Sequence, residues 1–164
     1  MRWNFGHLPS RRSVLAAAIV SASALTASCA AAQPRPQMLV HRDPGCGCCH
    51  GWLTHMQRSG RFQASMRDEA DMAALKRRLG VPADLASCHT AEVAGFVIEG
   101  HVPVEDVERL LRERPPGVVG LATPGMPLGS PGMEQSGMEQ NAFDVFTFYA
   151  DGRRAIFSHH PASA

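Results

Sequence analysis

The sequence predicts an α/β fold, a small mixed sheet flanked by helices and closed by a β-hairpin. Three observations predict it. Apolar runs of strand length alternate with segments whose apolar residues recur at helical spacing. A hairpin signal ends the chain, where Phe143 to Tyr149 and Arg154 to Phe157 flank an Asp151-Gly152 turn. The 164 residues, 45% hydrophobic and 19% charged, suffice for one ordinary core once a leader is set aside, and the Gly and Pro residues are spread among the apolar periods instead of forming low-complexity runs.

Residues 1–32 read as an export signal. Arg11 and Arg12 precede an alanine-rich apolar stretch from Val14 to Leu25, too short to span a bilayer. Ala30-Ala31-Ala32 supplies small residues for cleavage, so the mature domain is expected to cover 33–164. Ser10-Arg11-Arg12-Ser13-Val14-Leu15 is similar to a twin-arginine signal, with Val14 where that pattern usually has Phe. Cys29 offers a lipidation site, though Leu25 sits one place too early for a good lipobox. Either route leads to an exported bacterial protein, expected in the periplasm without stable membrane insertion after the leader is removed. The formal charge of +1 falls by three, to −2, without Arg2, Arg11 and Arg12, which leaves no basic surface to argue for nucleic acid. With aromatics at only 6%, the core is expected to be aliphatic.

Gln37 to His41 forms a first strand, ended by the Asp43-Pro44-Gly45 turn. From Cys49, the spacing of Trp52, Leu53 and Met56 predicts a helix that Ser59-Gly60 stops. Phe62 to Met66 reads as a second strand, and Met72, Leu75 and Leu79 mark a helix closed by Gly80. Phe96 to Ile98 is a third strand-like run. Pro103 opens a helix with Val104, Val107, Leu110 and Leu111 on its apolar face, with Glu105/Arg109 and Glu108/Arg112 spaced as ion pairs, and Pro115-Pro116 ends it. Gly117 to Gln140 reads as one long Gly/Pro/Met loop before the hairpin.

The chemistry lies in the cysteines. Apart from Cys29, four remain: Cys46, Cys48, Cys49 and Cys88. Two structural disulfides would suit an oxidising compartment. The spacing resists that reading, because three thiols crowd into Cys46-Gly47-Cys48-Cys49 and only Cys88 is distant. A Cys46–Cys49 bridge resembles a redox-active C-x-x-C pair more than a staple. The cluster sits at a strand-to-helix junction, where unpaired N–H groups and the helix dipole favour thiolate. Three thiols with Cys88-His89 alongside form a soft donor set suited to Cu(I), whereas zinc lacks its usual paired C-x₂-C spacing. His89 is a weaker candidate ligand, and His41 and His50 read as solvated neighbours.

Four motifs in order, Cys46-Gly47-Cys48-Cys49 with Trp52, Ser87-Cys88-His89-Thr90-Ala91, Gly95 through Pro103, and Pro124-Gly125-Met126-Pro127 through Gly132-Met133-Glu134, resemble the CopG-type periplasmic copper-resistance proteins. The resemblance covers about Met38 to Phe157. It implies a thioredoxin-like fold, Cu(I) held by Cys46, Cys48, Cys49 and Cys88 in a multi-copper thiolate cluster, and copper handling beside efflux components. This chain departs from the pattern by repeating Gly132-Met133-Glu134-Gln135 as Gly137-Met138-Glu139-Gln140. Met126, between Pro124 and Pro127, is a weaker candidate copper ligand, while Met133 and Met138 read as loop residues. A proline beside the cysteines is typical of thioredoxin-like sites, with Pro103, Pro124 and Pro127 as candidates, and His101 has two readings, a residue near the site or, the one preferred, a cap for the helix that follows.

The leading expectation is a copper(I)-binding protein. The alternative is a thiol–disulfide or copper oxidoreductase working through Cys46 and Cys49. Metal binding is favoured because a dithiol enzyme needs two cysteines, and here a third stands between them while a fourth arrives from elsewhere.

Overall fold

The computed structural model describes residues 1, 2, 34–135 and 137–162, and the account below concerns the unit Gln33–Ala164. The export signal, its cleavage site and Cys29 lie outside the described residues.

The elements follow the order β1 (Gln37–Arg42), α1 (Cys48–Arg58), β2 (Gln63–Asp68), α2 (Met72–Arg78), β3 (His89–Val93), β4 (Phe96–Gly100), α3 (Val104–Glu113), β5 (Val118–Thr123), β6 (Phe143–Tyr149) and β7 (Arg154–His160), with a single 3₁₀ turn at Ala83–Leu85. They build one mixed sheet in the order β2-β1-β3-β4-β5-β6-β7. β1 and β2 are parallel, as are β4 and β5, and every other pair is antiparallel. Parallel neighbours require a crossover, and α1 and α3 supply it.

Alternate residues of a strand face opposite sides, so each central strand feeds two cores. Val40, Ala91, Ile98 and Leu121 point to the face covered by Trp52 and Met56 of α1 and by Val107 and Leu110 of α3. Val97, Ala122 and Phe148 meet Val81 and Leu85 on the other. Trp52, wholly buried, donates its indole N–H to the Val102 carbonyl at 2.8 Å, which ties α1 to the segment after β4. A buried Trp needs such a partner for its N–H.

Several expectations are corrected. The sheet has seven strands and is not small. Aromatics are few, yet Trp52, Phe62, Phe96 and Phe148 are all buried, so the core is not purely aliphatic. The segment after Pro116 is not one loop: Val118–Thr123 is β5, almost wholly buried between β4 and β6 and therefore without the polar alternation that marks a half-exposed strand. Residues 89–93, assigned to no element, form β3. The four-apart pairs on α3 do not form, because Arg109 turns to Asp106 and to the Phe157 carbonyl, Glu108 pairs with Arg61, and Arg112 with Glu113. Surface pairs are worth little, so other partners, near or far along the chain, displace them easily.

Candidate metal centre

The site lies where β1 ends and α1 begins. The Asp43 side chain accepts the Gly45 N–H at 2.8 Å and its carbonyl accepts the Cys46 N–H at 2.9 Å, so the Asp-Pro-Gly turn closes on itself. Arg42 at the end of β1 donates to the Cys46 carbonyl at 2.9 Å. The chain is thereby delivered to the start of α1 with Cys48 and Cys49 on its first turn and Cys46 just before the Gly47 N-cap. Cys46 and Cys49 are joined in a disulfide with Cα atoms 5.7 Å apart, leaving Cys48 and Cys88 as free thiols among the described residues. The ready ionisation expected of Cys46 therefore finds no expression in this state, since a disulfide sulfur does not titrate.

Cys88 arrives on the segment leading into β3. Its sulfur lies 3.8 Å from that of Cys48, and Cys48 in turn lies 3.6 Å from the Cys46 sulfur and 3.8 Å from the Met126 thioether. The four cysteine sulfurs all fall within 4.8 Å of one another. Cys49 is buried, and Cys46, Cys48 and Cys88 are half-buried, so the group is partly open to solvent. Met126 is 51% exposed and lies against Cys48, whereas Met138, 50% exposed, makes no described contact with the cluster.

Behind Cys88 lies a second group. His89 Nδ1 and His101 Nε2 approach the Cys88 sulfur at 3.2 and 3.1 Å, and the three residues form a separate set of donors within 4.8 Å. Both imidazoles are fully buried. His101 Nδ1 donates to the Pro131 carbonyl at 2.8 Å, and His89 packs edge-on to His101 and against Trp52. The expectation that His101 caps the next helix is corrected: Pro103 occupies the N-cap of α3, and the imidazole turns to the sulfur. His41 is corrected too. It is buried in β1 between Glu92, at 3.0 Å, and Arg67, at 3.3 Å, while His50 is exposed as expected.

One positioning element was not anticipated. Glu99 on β4 is fully buried, accepts the Ser87 N–H at 2.6 Å and the Thr90 hydroxyl at 2.6 Å, and pairs with Lys76 of α2. It holds the chain on both sides of Cys88. Burial raises its carboxyl above the usual range, with Lys76 and the two hydrogen bonds pulling the other way. The sequence contains a signal for it, an acidic residue in the apolar run Phe96 to Ile98 to Gly100.

Burial, reinforced by the nearby Cys48, pushes the Cys88 thiol up to about 12. Burial likewise holds both imidazoles below the ordinary histidine range; for His89 the neighbouring His101 and Lys76 add to it and the Gly100 backbone acts against it, and for His101 the Pro131 carbonyl and Glu134 act against it. The metal-free site thus holds a protonated thiol between neutral imidazoles, and an ion that binds Cys88 must displace that proton.

A structure of "Copper resistance protein copG" in form 1 is 41% identical, with a TM-score of 0.71, over 78% of this chain and 99% of that one. The chain belongs to the CopG-type copper-resistance family. The form 2 structure of the same copper resistance protein agrees, at 41% identity and a TM-score of 0.72, over 78% of this chain and all of that one. Residues 85–133 match a family model described as a protein of unknown function, DUF411. A search of curated proteins gives no match. For this CopG-type chain the segment matched by the family model runs from just before Cys88 through His101, Met126 and Pro131, so it holds the imidazole side of the centre. No helix among the described residues is long and apolar enough to cross a membrane.

Proposed function

We propose that this CopG-type chain is an exported copper-binding protein that takes Cu(I) on Cys46, Cys48, Cys49 and Cys88, with Met126 at the entrance. The observation that carries the reading is the convergence of four cysteine sulfurs within 4.8 Å from two distant parts of the chain. Soft sulfur donors select Cu(I), and the likeness to a protein named for copper resistance points the same way. All four sulfurs become donors only after two electrons and two protons open the Cys46–Cys49 bridge. Thiolates within one site can bridge more than one ion, which suits a multi-copper cluster, and delivery to or from copper-efflux components would use the half-open side. We read β1 to β4 with α1 to α3 as a thioredoxin-like core: a parallel β1-α1-β2 unit, the antiparallel pair β3 and β4, and cysteines at the start of α1 support it. Periplasmic location rests on the basic, alanine-rich leader.

The Cys46–Cys49 disulfide favours a second reading, an oxidoreductase that passes electrons through this pair. Anaerobic metal analysis of reduced protein, with a thiol count, tests both. Cu(I) should bind in preference to zinc, and Cys48→Ser should lose copper as Cys46→Ser and Cys49→Ser do. If Cys48→Ser kept its copper while the outer two variants lost disulfide reduction, the oxidoreductase reading would replace the first. Export is checked by replacing Arg11 and Arg12 with Lys, which should retain the protein in the cytoplasm if the twin-arginine route is used.

A further inference from the structure

We propose that an arginine-rimmed cleft, at the other end of α1 from the cysteines, docks an extended acidic segment of a partner protein in which carboxylates alternate with apolar side chains.

The cleft is built where three segments meet. β1 is entered through Pro34-Arg35-Pro36, α1 passes into β2 through Gly60-Arg61-Phe62, and α3 contributes Glu108, Leu111 and Arg112. The cysteines stand at the start of α1 and the cleft at its end, so the 11 residues of that helix put roughly 16 Å between them. The frame is fixed from within. The Pro36 carbonyl accepts the Gln63 N–H at 2.9 Å, and the Ser59 hydroxyl accepts the Arg61 N–H at 3.1 Å. Pro36 also restricts the preceding Arg35 to extended backbone. The cleft has a volume of about 700 Å³, within the roughly 300–1,000 Å³ of ordinary ligand pockets.

Its chemistry has two parts. The floor is apolar: Phe62 is 3% exposed and Leu111 is half-buried. The rim carries three guanidiniums against one carboxylate. Glu108 pairs with Arg61 at 3.1 Å, Arg112 reaches only Glu113, at 3.9 Å, and Arg35 has no ion pair among the described residues. The lining is therefore net positive on a domain that is net negative once the leader is set aside. Guanidinium forks match carboxylate and phosphate oxygens, so surplus positive charge over an apolar floor calls for a ligand that is anionic and apolar at once.

An extended peptide meets these demands better than a lipid surface or a small anion does. The last turns of α1 and α3 both end at the cleft, and the final carbonyls of a helix lack intrahelical donors. A peptide backbone brings N–H groups to such carbonyls, whereas a phosphate or a carboxylate brings acceptors alone. A planar bilayer face is also a poor match for a concave one. Docking here tethers the chain while its thiols stay uncovered.

The test titrates the full chain with an end-blocked, fluorescent peptide of alternating glutamate and leucine and follows anisotropy. Binding should saturate at one peptide per chain and weaken as salt rises from about 0.01 M to about 1 M, which shortens the Debye length from about 30 Å to about 3 Å. Arg35→Gln and Arg112→Gln, both at exposed positions, should each weaken it about two- to fivefold, the range of one surface ion pair, and leave Cu(I) loading of the reduced protein unchanged. A peptide of glutamate and serine should bind about tenfold more weakly or worse, since leucine burial supplies the larger part. Backbone NMR shifts should centre on Phe62 and Leu111. The proposal is overturned if the serine peptide binds as well, if both arginine variants bind the leucine peptide unchanged, or if the shifts fall outside the cleft. Capture by phosphatidylglycerol vesicles that depends on Arg35 and Arg112, without peptide binding, would give the cleft to a membrane and likewise overturn it. Self-association that Arg35→Gln abolishes, seen by sedimentation, would give it to a second copy of the chain with the same result.

Discussion

On one side of Cys88 lie the sulfurs of Cys46, Cys48, Cys49 and Met126, half-open to solvent; on the other lie the imidazoles of His89 and His101, fully buried beneath Trp52. The sulfur side is built locally, by a turn and the first turn of a helix, and its donors change with redox state. The imidazole side is built from β3, the end of β4 and the Pro131 segment, and its donors do not. The contrast teaches that softness and burial can be set independently around one thiol. Exposure leaves the sulfur side able to exchange an ion with a partner. Burial and outside support keep the imidazole side in one geometry.

The largest effect is expected from the shared atom. Cys88→Ser should abolish Cu(I) loading of the reduced protein, and a variant that kept full loading would show that this sulfur is not a ligand.

Next is the support of the imidazole side. The loop at Gly132 packs directly on α1: a Cβ at Gly51 would lie 2.9 Å from the Gly132 Cα, and one at Gly132, whose φ is +86°, would strike the Trp52 backbone nitrogen. Gly132→Ala should displace Pro131 and with it the acceptor for His101. A buried N–H left without its acceptor costs about 1–3 kcal/mol, so Gly132→Ala should lower the midpoint of thermal unfolding while Cu(I) loading of the reduced protein changes far less. An unchanged midpoint would show that the loop does not hold the imidazole side.

Proton competition gives a smaller, graded effect. Because burial and the neighbouring Cys48 push the Cys88 thiol up to about 12, each ion bound there releases one proton at neutral pH, and apparent affinity should climb about tenfold per pH unit across the neutral range. Both imidazoles, shifted below the ordinary range, are already neutral there and add no further proton. In the metal-free oxidised protein, alkylation of Cys88 should go on accelerating with pH beyond the point where an ordinary thiol levels off. A plateau near the ordinary thiol range would mean that the sulfur is less buried than the structure has it.

The smallest effect concerns the methionines. Met126→Leu should slow Cu(I) uptake a few-fold through loss of one thioether at the entrance, and Met138→Leu should leave it unchanged, as followed by competition with a Cu(I) chelator.

The sulfur side was readable in the sequence because its determinants are adjacent. Asp43-Pro44-Gly45 stops a strand, Trp52 and Met56 set the helical period, and the cysteines between them can only stand at the junction. The partner cysteine was readable as a residue brought alongside the cluster, but the strand that carries it was not, since β3 is too short to announce itself beside the Ala83–Leu85 turn. The imidazole side was largely hidden. His101 lies 13 residues from Cys88 and 30 from Pro131, and its role depends on an antiparallel β3–β4 pairing and on a loop that folds back over α1. Glu99 was hidden for a related reason: an acidic residue in a strand reads as solvent-facing until Lys76, 23 residues earlier, is found beside it.

By itself the sequence determined the α/β class, the terminal hairpin, the strand–turn–helix setting of Cys46 to Cys49, and family membership, all of which rest on short-range periodicity, turn chemistry or contiguous motifs. Only the tertiary structure decided that the sheet runs to seven strands, that Cys46 and Cys49 pair while Cys48 and Cys88 stay free, and that His89 and His101 close on the far side of Cys88. The physical reason is separation along the chain. A turn or a helical face is fixed by residues a few places apart, whereas a donor set assembled across β3, β4 and the Pro131 loop exists only after burial of the core has set the strand register and brought those segments together.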